Sequence, residues 1–504
     1  MLARPSVALA MTMTMATLAG VAAVGGFEPV GLAPLTIIAI AVLALLWRQT
    51  AIPQLATWLG FAFGVGFFGA GVSWVYVSLH DFGMMPAPLA ALATALFCAF
   101  LALFPAAVGF MQARLRAGHA CTLLLAMPSL WVLLEWLRGW IFTGFPWLSI
   151  GYSQTDTPLA GFAPIAGVFG MSLATALSGG LLALALSGGR ALRIAATGGL
   201  IALFALGWGL QQLAWTNPSG APITVALAQG NVPQSLKFEE GRYATTLETY
   251  RKLVERSTAR LVVLPETAIP RFLDTVSPEY LHSLAGSLRA RGADLLLGAP
   301  LRSRGGAYYN SMVNIGVSPP QVYSKRHLVP FGEFVPPGFD WVLQILRIPL
   351  SDFDRGRADQ QPFALGDNLL VAVNICYEDA FGEEIARQLP QATLLVNASN
   401  VAWFGNSLAP AQHLQISRVR AMETGRAMLR ATNTGETAII DERGQVTARL
   451  PPFTEGLLQG TAQPFSGATL FVRLGDKLAL ALCLVMCIAA GVVSLVRTWR
   501  RNAA

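Results

Sequence analysis

Val371–Asp379 reads VAVNICYED. An apolar, β-branched run stops at Cys376, and the acidic pair Glu378 and Asp379 comes directly after it. That is the pattern of a buried strand delivering a thiol to a strand-to-helix turn. There the backbone N–H groups that open the next helix would favour a thiolate. Standing alone, a buried cysteine is more often an inert core thiol than a nucleophile. The rest of the chain decides between the two.

The chain of 504 residues is 54% hydrophobic and 12% charged, against about 25% charged in ordinary soluble domains. Long apolar stretches occupy residues 1–213 and 474–496, whereas 214–470 has the composition of a globular domain large enough to bury its own core. The net charge of +7 comes from scattered arginines with no basic run, which argues against a nucleic-acid partner. Of the five cysteines, Cys98, Cys121, Cys483 and Cys487 lie in or beside apolar stretches. Cys376 is thus alone in the globular block, and no disulfide framework is expected there. No Cys/His cluster has zinc spacing and there is no P-loop, so neither metal nor cofactor is expected.

A bilayer crossing needs about 20 apolar residues. Such spans are expected near 6–25, 30–47, 54–79, 87–112, 119–138, 160–187 and 193–213, with an eighth near 474–496. The first is read as an uncleaved helix rather than a signal peptide, because further spans come directly after it. This predicts a seven-helix membrane domain over 1–213, a catalytic domain over 214–470, and an eighth helix with a tail over 471–504. Arg4, Arg48, Arg114, Arg116, Arg190, Arg193, Arg497, Arg500 and Arg501 then all fall on one side. By the positive-inside rule that side is the cytoplasm, with both termini there and the globular block across the membrane.

Two features inside the apolar part invite sharper readings. Gly64, Gly66 and Gly69 spell GxGxxG, but no strand precedes them. With Gly60 they fit close helix packing better than a dinucleotide site. Glu135 and Arg138 lie three apart on one helix face, either as an interfacial pair or as a phospholipid-headgroup site. The aromatic loop Gly139–Pro158 suits a membrane-interface belt.

The globular block alternates strands and helices. Strands are expected at 223–229, 261–264, 294–298, 309–315, 321–323, 369–375, 393–397, 428–432 and 437–441, and helices at 239–257, 278–291 and 410–423. The alternation implies a layered α/β sandwich. Three polar residues sit where apolar runs stop: Glu266 in LVVLPET, Lys325 in VYSKRHLVPFGEFVP and Cys376 in NICYED. At the C-terminal ends of strands they would converge on one crevice. A thiol needs a base, for which Glu266 serves. The oxyanion needs donors, for which the Lys325 ammonium and a backbone N–H after Cys376 serve. Spacing alone leaves a Cys–His alternative through His327 or His413 open.

Glu266, Lys325 and Cys376 in these contexts resemble the Glu–Lys–Cys triad of the nitrilase superfamily. With AQGNVPQSLKF, YYNS, KRHLVPFGEFVP, NICYED and NASNVAWFG, the chain from end to end resembles the apolipoprotein N-acyltransferase family of Gram-negative bacteria. The resemblance implies an αββα sandwich joined to eight transmembrane helices. It also implies Glu266 as general base, Lys325 as oxyanion stabiliser and Cys376 as nucleophile, supported by Glu333, Tyr377 and Glu378. The implied reaction moves the sn-1 acyl chain of a phospholipid, typically phosphatidylethanolamine, through a cysteine thioester. The acceptor is the N-terminal amine of a diacylglyceryl-cysteine lipoprotein, the implied location the inner membrane with the catalytic domain in the periplasm, and the expected state a monomer. The family often carries Trp where this chain has Phe238, which keeps an aromatic contact but not an indole N–H.

Both substrates are lipids, so apolar loops near the site are read as lips for them. Residues 331–350, with Phe339, Trp341, Leu343, Ile345 and Leu346, form either a buried helix or an arm dipping into the interface. Trp403 in AWFG marks a second lip, and Phe238, Trp403, Glu135 and Arg138 are the expected substrate contacts. The competing readings are a membrane-anchored amidase that hydrolyses a small C–N bond with the same triad, and a transporter with an outer binding module. Spans nearly free of internal charge weigh against the transporter.

Overall fold

The computed structural model describes residues 4–502 apart from 51, 116, 336–351 and 367. The arm expected at 331–350 therefore lies largely outside the described residues, Phe339, Trp341, Leu343, Ile345 and Leu346 among them. Residues 1–75, 91–214 and 474–504 make one compact unit, and residues 76–90 with 215–473 make a second.

The first unit is helical: α1 (Arg4–Val24), α2 (Pro34–Arg48), α3 (Pro53–Gly71), α4 (Ala87–Leu115), α5 (Met127–Arg138), α6 (Ala163–Ser187), α7 (Arg190–Gln211) and the C-terminal helix Lys477–Asn502. Among the described residues six helical stretches are long and apolar enough to cross a bilayer: Val7–Val24, Ala87–Leu115, His119–Arg138, Pro158–Ser187, Arg190–Gln211 and Lys477–Arg500. Two of the expected spans take a different form. The span near 54–79 is a pair, Pro53–Gly71 and Val75–Phe82, bent by 56°. The bend comes after the run Gly69-Ala70-Gly71, whose glycines stiffen the chain least. The span near 30–47 is the 15-residue helix Pro34–Arg48, which at 1.5 Å per residue is ~22 Å long, short of the ~30 Å hydrocarbon core. The glycine run packs helices, as spacing suggested. A Cβ on Gly60 would meet the Pro105 carbonyl oxygen at 2.3 Å, and one on Gly66 the Thr17 carbonyl oxygen at 2.1 Å.

The second unit holds two six-stranded sheets. Its strands are β1 (Ile223–Gln229), β2 (Leu261–Val263), β3 (Asp294–Arg302), β4 (Tyr308–Gly316), β5 (Val322–Ser324), β6 (Phe363–Ala364), β7 (Leu370–Ile375), β8 (Leu394–Ser399), β9 (Met428–Thr432), β10 (Ala438–Ile440), β11 (Val446–Arg449) and β12 (Gly456–Ala462). One sheet runs β12-β1-β2-β3-β4-β5 and the other β11-β10-β9-β8-β7-β6. Strand alternation explains the layers. Val225, Leu227, Val263, Leu296, Val371, Val373, Val396 and Leu429 fill the core between the sheets. The intervening Ala226, Ala228, Val262 and Leu295 face Tyr250, Leu253, Leu284 and Leu288 of helices α8 (Glu240–Glu255) and α9 (Pro278–Ala290). Ala372, Leu395 and Met428 face Leu414 and Ala421 of α10 (Ala409–Thr424). The result is an αββα sandwich. Strands buried on both faces read as continuous apolar runs, which is why β1, β7 and β8 stand out in the sequence.

Strand direction decides where the chemistry gathers. β1, β2 and β3 are mutually parallel, and two antiparallel steps, β3 to β4 and β4 to β5, restore that direction in β5. The C-terminal ends of β2 and β5 therefore share one edge of their sheet, just before Glu266 and Lys325. In the other sheet β7, β8 and β9 are parallel and end at Cys376, Asn400 and Asn433.

Candidate active site

Cys376 comes directly after β7 and has φ of +54°, a left-handed conformation for a residue with a side chain. That costs roughly 1–2 kcal/mol and persists only where neighbours hold it. The chain continues as one short turn, Cys376–Ala380, and a five-residue helix, Gly382–Ala386, rather than a long helix. The thiolate expected from a helix N-terminus does not arise. Burial, and then the negative charge of Glu266, push the thiol up to about 12, against the opposing pull of Lys325 and Ser399. Burial and the Glu266 charge thus favour the thiol over the thiolate at Cys376.

Glu266 is that neighbour. It sits two residues past Leu264, beyond the end of β2, and is 6% exposed. Gly298 in β3 makes its placement possible, because a Cβ there would meet Pro265 O at 2.3 Å and Glu266 Cα at 2.9 Å. Glu266 Oε1 accepts from Asn310 Nδ2 at 2.7 Å and Lys325 Nζ at 3.3 Å, and Oε2 accepts from the Asn400 N–H at 2.8 Å. Burial alone would raise its carboxyl, but Lys325, the Asn310 amide and Lys237 outweigh it and hold it below the ordinary carboxylate range. Its carboxylate form is favoured.

Lys325 is 1% exposed and bridges two carboxylates, Glu266 and Glu333, reaching Glu333 Oε2 at 2.8 Å. Burial disfavours its charge, yet Glu266 and Glu333 raise it above the usual lysine value, so it stays an ammonium. Glu333 also accepts from Asn310 Nδ2 at 2.8 Å and from the Val329 N–H at 2.9 Å. A second buried ammonium lies alongside. Lys237 is 3% exposed, with Nζ 3.3 Å from the Glu266 carbonyl oxygen. Burial lowers it to about 8 against the attraction of Glu266 and Cys376. Two carboxylates facing two ammoniums give a buried cluster whose charges are paired.

Glu378 ties the two sheets' strand ends together. Its carboxylate accepts from the N–H groups of Ile375 (2.7 Å), Arg326 (2.7 Å) and His327 (3.1 Å) and from the Tyr323 hydroxyl at 3.0 Å. The residues flanking Lys325 are thereby fastened to the turn that carries Cys376. Burial pushes Glu378 up to about 7 against those donors. Tyr377 is buried between Phe381, with ring centroids 5.2 Å apart, and His327 at 5.8 Å. Phe238 is half-buried directly after Lys237. Trp403 is half-buried and packs edge-on against Phe82 at 6.0 Å, and its carbonyl accepts from the Ser78 hydroxyl at 2.7 Å.

The two histidines weighed as alternative partners for the thiol have other neighbours. His413 Nε2 lies 3.1 Å from the carbonyl oxygen of Cys376, and the His327 ring stacks on Phe381 with Nδ1 3.2 Å from Glu384. Glu135 and Arg138, expected at a headgroup, are 5% and 2% exposed in the helical unit. Glu135 Oε1 accepts from Trp131 Nε1 and the Ile150 N–H, both at 2.9 Å, while Arg138 donates to the carbonyls of Phe145 and Trp147. The cavity beside them is about 20 Å³, room for about one water. They staple the aromatic loop, and the headgroup role has no support in this geometry. Among the described residues no cluster of His, Cys, Asp and Glu could hold a metal.

Sequence reasoning assigned no role to Lys237, Asn310, Asn400 or Asn397, and weighed His413 only as a partner for the thiol. Only Asn400, directly after β8, carries the signal used for the triad, a polar residue standing where an apolar strand stops; Asn310 and Asn397 lie inside strands, His413 inside α10 and Lys237 in a loop.

Comparison with known proteins agrees with this layout. Residues 19–181 match the apolipoprotein N-acyltransferase N-terminal domain, and residues 224–467 match carbon-nitrogen hydrolase. The chain is 52% identical over 481 residues to an apolipoprotein N-acyltransferase of Nitrosomonas europaea, covering 94% of this chain and 96% of that one. It is 44% identical to those of Ralstonia nicotianae, over 97% and 95% of the two chains, and Methylococcus capsulatus, over 97% and 96%. The chain belongs to the apolipoprotein N-acyltransferase family.

Proposed function

We propose that this protein acylates the N-terminal amine of diacylglyceryl-cysteine lipoproteins with a phospholipid acyl chain, phosphatidylethanolamine sn-1 being the expected donor, through a thioester on Cys376. The observation that carries the reading is the buried set of Glu266, Lys325 and a protonated Cys376 on a left-handed turn. As Sγ attacks the ester carbonyl, Glu266 takes the thiol proton. The Lys325 ammonium and the backbone N–H of Tyr377 receive the oxyanion. Collapse of the intermediate breaks the C–O bond, and the lysophospholipid oxygen leaves with the proton held by Glu266. The lipoprotein amine then attacks the thioester carbonyl and gives its proton to Glu266, which returns it to the departing sulfur. Proton and charge balance over the cycle, and one thiol serving two substrates in turn implies ping-pong kinetics. Glu333 shares the Lys325 charge, and Glu378 and Tyr377 hold the turn. No cofactor enters.

Lipid substrates fit a chain rich in bilayer-length apolar helices. The arginine distribution supports an inner-membrane protein with cytoplasmic termini and the catalytic unit in the periplasm. Phe238 and Trp403 are the proposed acyl-chain contacts, and a monomer suffices for the chemistry. Purified protein given phospholipid and a diacylated lipopeptide tests the reading. N-acyl lipopeptide should form in proportion to lysophospholipid. Free fatty acid in place of acylated peptide would instead indicate a hydrolase of the amidase type.

A further inference from the structure

The oxyanion donor proposed after Cys376 is only as good as the peptide plane that carries it. That peptide is trans, so its C=O and its N–H point in opposite directions. The carbonyl oxygen of Cys376 accepts from two buried side chains, Asn397 Nδ2 at 3.2 Å and His413 Nε2 at 3.1 Å. Both donors are held in place. Asn397 Nδ2 also donates to Asn374 Oδ1 at 2.6 Å, and Asn397 Oδ1 accepts from Arg430 at 2.7 Å. The Arg430 guanidinium is fully buried and reaches Asp379 Oδ2 at 3.2 Å and the Ser417 hydroxyl at 3.0 Å. Ser417 in turn donates to Asp379, which lies 3.7 Å from His413 Nε2. Asn397 and His413 come from β8 and α10, so two separate elements converge on one carbonyl, with Arg430 of β9 bracing Asn397 behind them. Facing a carbonyl oxygen, His413 Nε2 must carry the proton. Burial, then Arg430, keep the ring well below its ordinary pKa and therefore neutral.

We infer that Asn397 and His413 are positioning residues for the oxyanion: by gripping the Cys376 carbonyl they fix the Cys376–Tyr377 peptide with its N–H on the opposite, substrate side. Two hydrogen bonds on the carbonyl also polarise the amide and strengthen its N–H as a donor. The same grip holds the left-handed conformation of Cys376, which is followed directly only by a short turn and a five-residue helix. This inference rests on the acyl-transfer reading proposed for Cys376.

The test compares two reactions of Cys376 in the full-length enzyme in phospholipid–detergent micelles. Single-turnover acylation, read by intact mass, needs the oxyanion donor. Alkylation by iodoacetamide across pH needs the thiolate alone. His413→Leu should slow acylation by roughly 10²-fold, the scale of a lost or misaligned oxyanion donor, and leave the alkylation profile within about threefold. His413→Gln, whose amide can donate to the same carbonyl, should recover most of the acylation rate. If His413→Leu does not fold, Asn397→Ala read in the same two assays decides. Acylation at the wild-type rate, equal losses in both reactions, or a His413→Gln variant as slow as His413→Leu would overturn the clamp. A wild-type enzyme that alkylates normally yet never acylates would overturn the acyl-transfer reading, and the clamp with it.

Discussion

Two buried acid–base pairs in this molecule use the same chemistry to opposite ends. Glu135 and Arg138 in the helical unit, like Glu266 and Lys325 in the sandwich, are almost wholly withdrawn from solvent. The first pair directs its hydrogen bonds to an indole, a backbone N–H and two carbonyls of the adjoining loop. The second pair shares its charges with Glu333 and Lys237 and lies beside the Cys376 thiol. Burial of an acid and a base is thus common to a staple and to the proposed reactive centre. The difference lies in a thiol beside the second pair and a carboxylate held below its ordinary range there, the two features on which the proposed acyl transfer depends.

Substitutions at the two pairs should part accordingly. Cys376→Ala should abolish lipopeptide acylation, a loss of at least ~10⁴-fold, while leaving the fold intact by circular dichroism. Glu266→Gln keeps the shape but not the base, and the rate should fall roughly 10²- to 10⁴-fold. Lys237→Met should cost only severalfold in rate, because Lys325 and the Asn310 amide still hold Glu266 ionised near neutral pH. The Lys237 charge is lost as pH rises through about 8, and stability should follow it. Because folding lowers the Lys237 value from 10.5, its charge costs stability below pH 8, and the cost fades as pH approaches 10.5. The unfolding temperature of wild type should accordingly rise relative to that of Lys237→Met as pH is raised from 7 to 10. Arg138→Met closes the series. Activity per folded molecule should stay within about threefold of wild type, while thermal unfolding in detergent drops by an amount consistent with roughly 3 kcal/mol for a broken buried pair. A large loss of activity with unchanged stability would return that pair to the list of substrate contacts.

Glu266, Lys325 and Cys376 stood out in the sequence because each comes where an apolar run ends, and parallel strands buried on both faces announce their ends clearly. Strand direction then did the rest, since β5 recovers the direction of β2 after two reversals. Shorter edge strands such as Phe363–Ala364 and Val446–Arg449 carry too little periodicity to be read, and Gly456–Ala462, which closes the first sheet against β1, has glycines where side chains would show a pattern. The roles of Lys237, Asn397 and His413 could not be read because their partners are 29, 21 and 37 residues away along the chain. The thiolate expected of Cys376 failed for a local reason: the helix that would have stabilised it is one turn and a five-residue piece, and burial beside a carboxylate works the other way.

The central claim is that acyl groups pass through Cys376. Purified enzyme should be given phospholipid carrying an isotopically labelled sn-1 chain, without acceptor, then quenched in acid and read by intact mass and peptide mapping. The account predicts one labelled acyl group on the peptide containing Cys376, cleaved by neutral hydroxylamine and discharged onto a diacylated lipopeptide when that is added. Formation of N-acyl lipopeptide with no adduct at any time, or with the label on another residue, would contradict it.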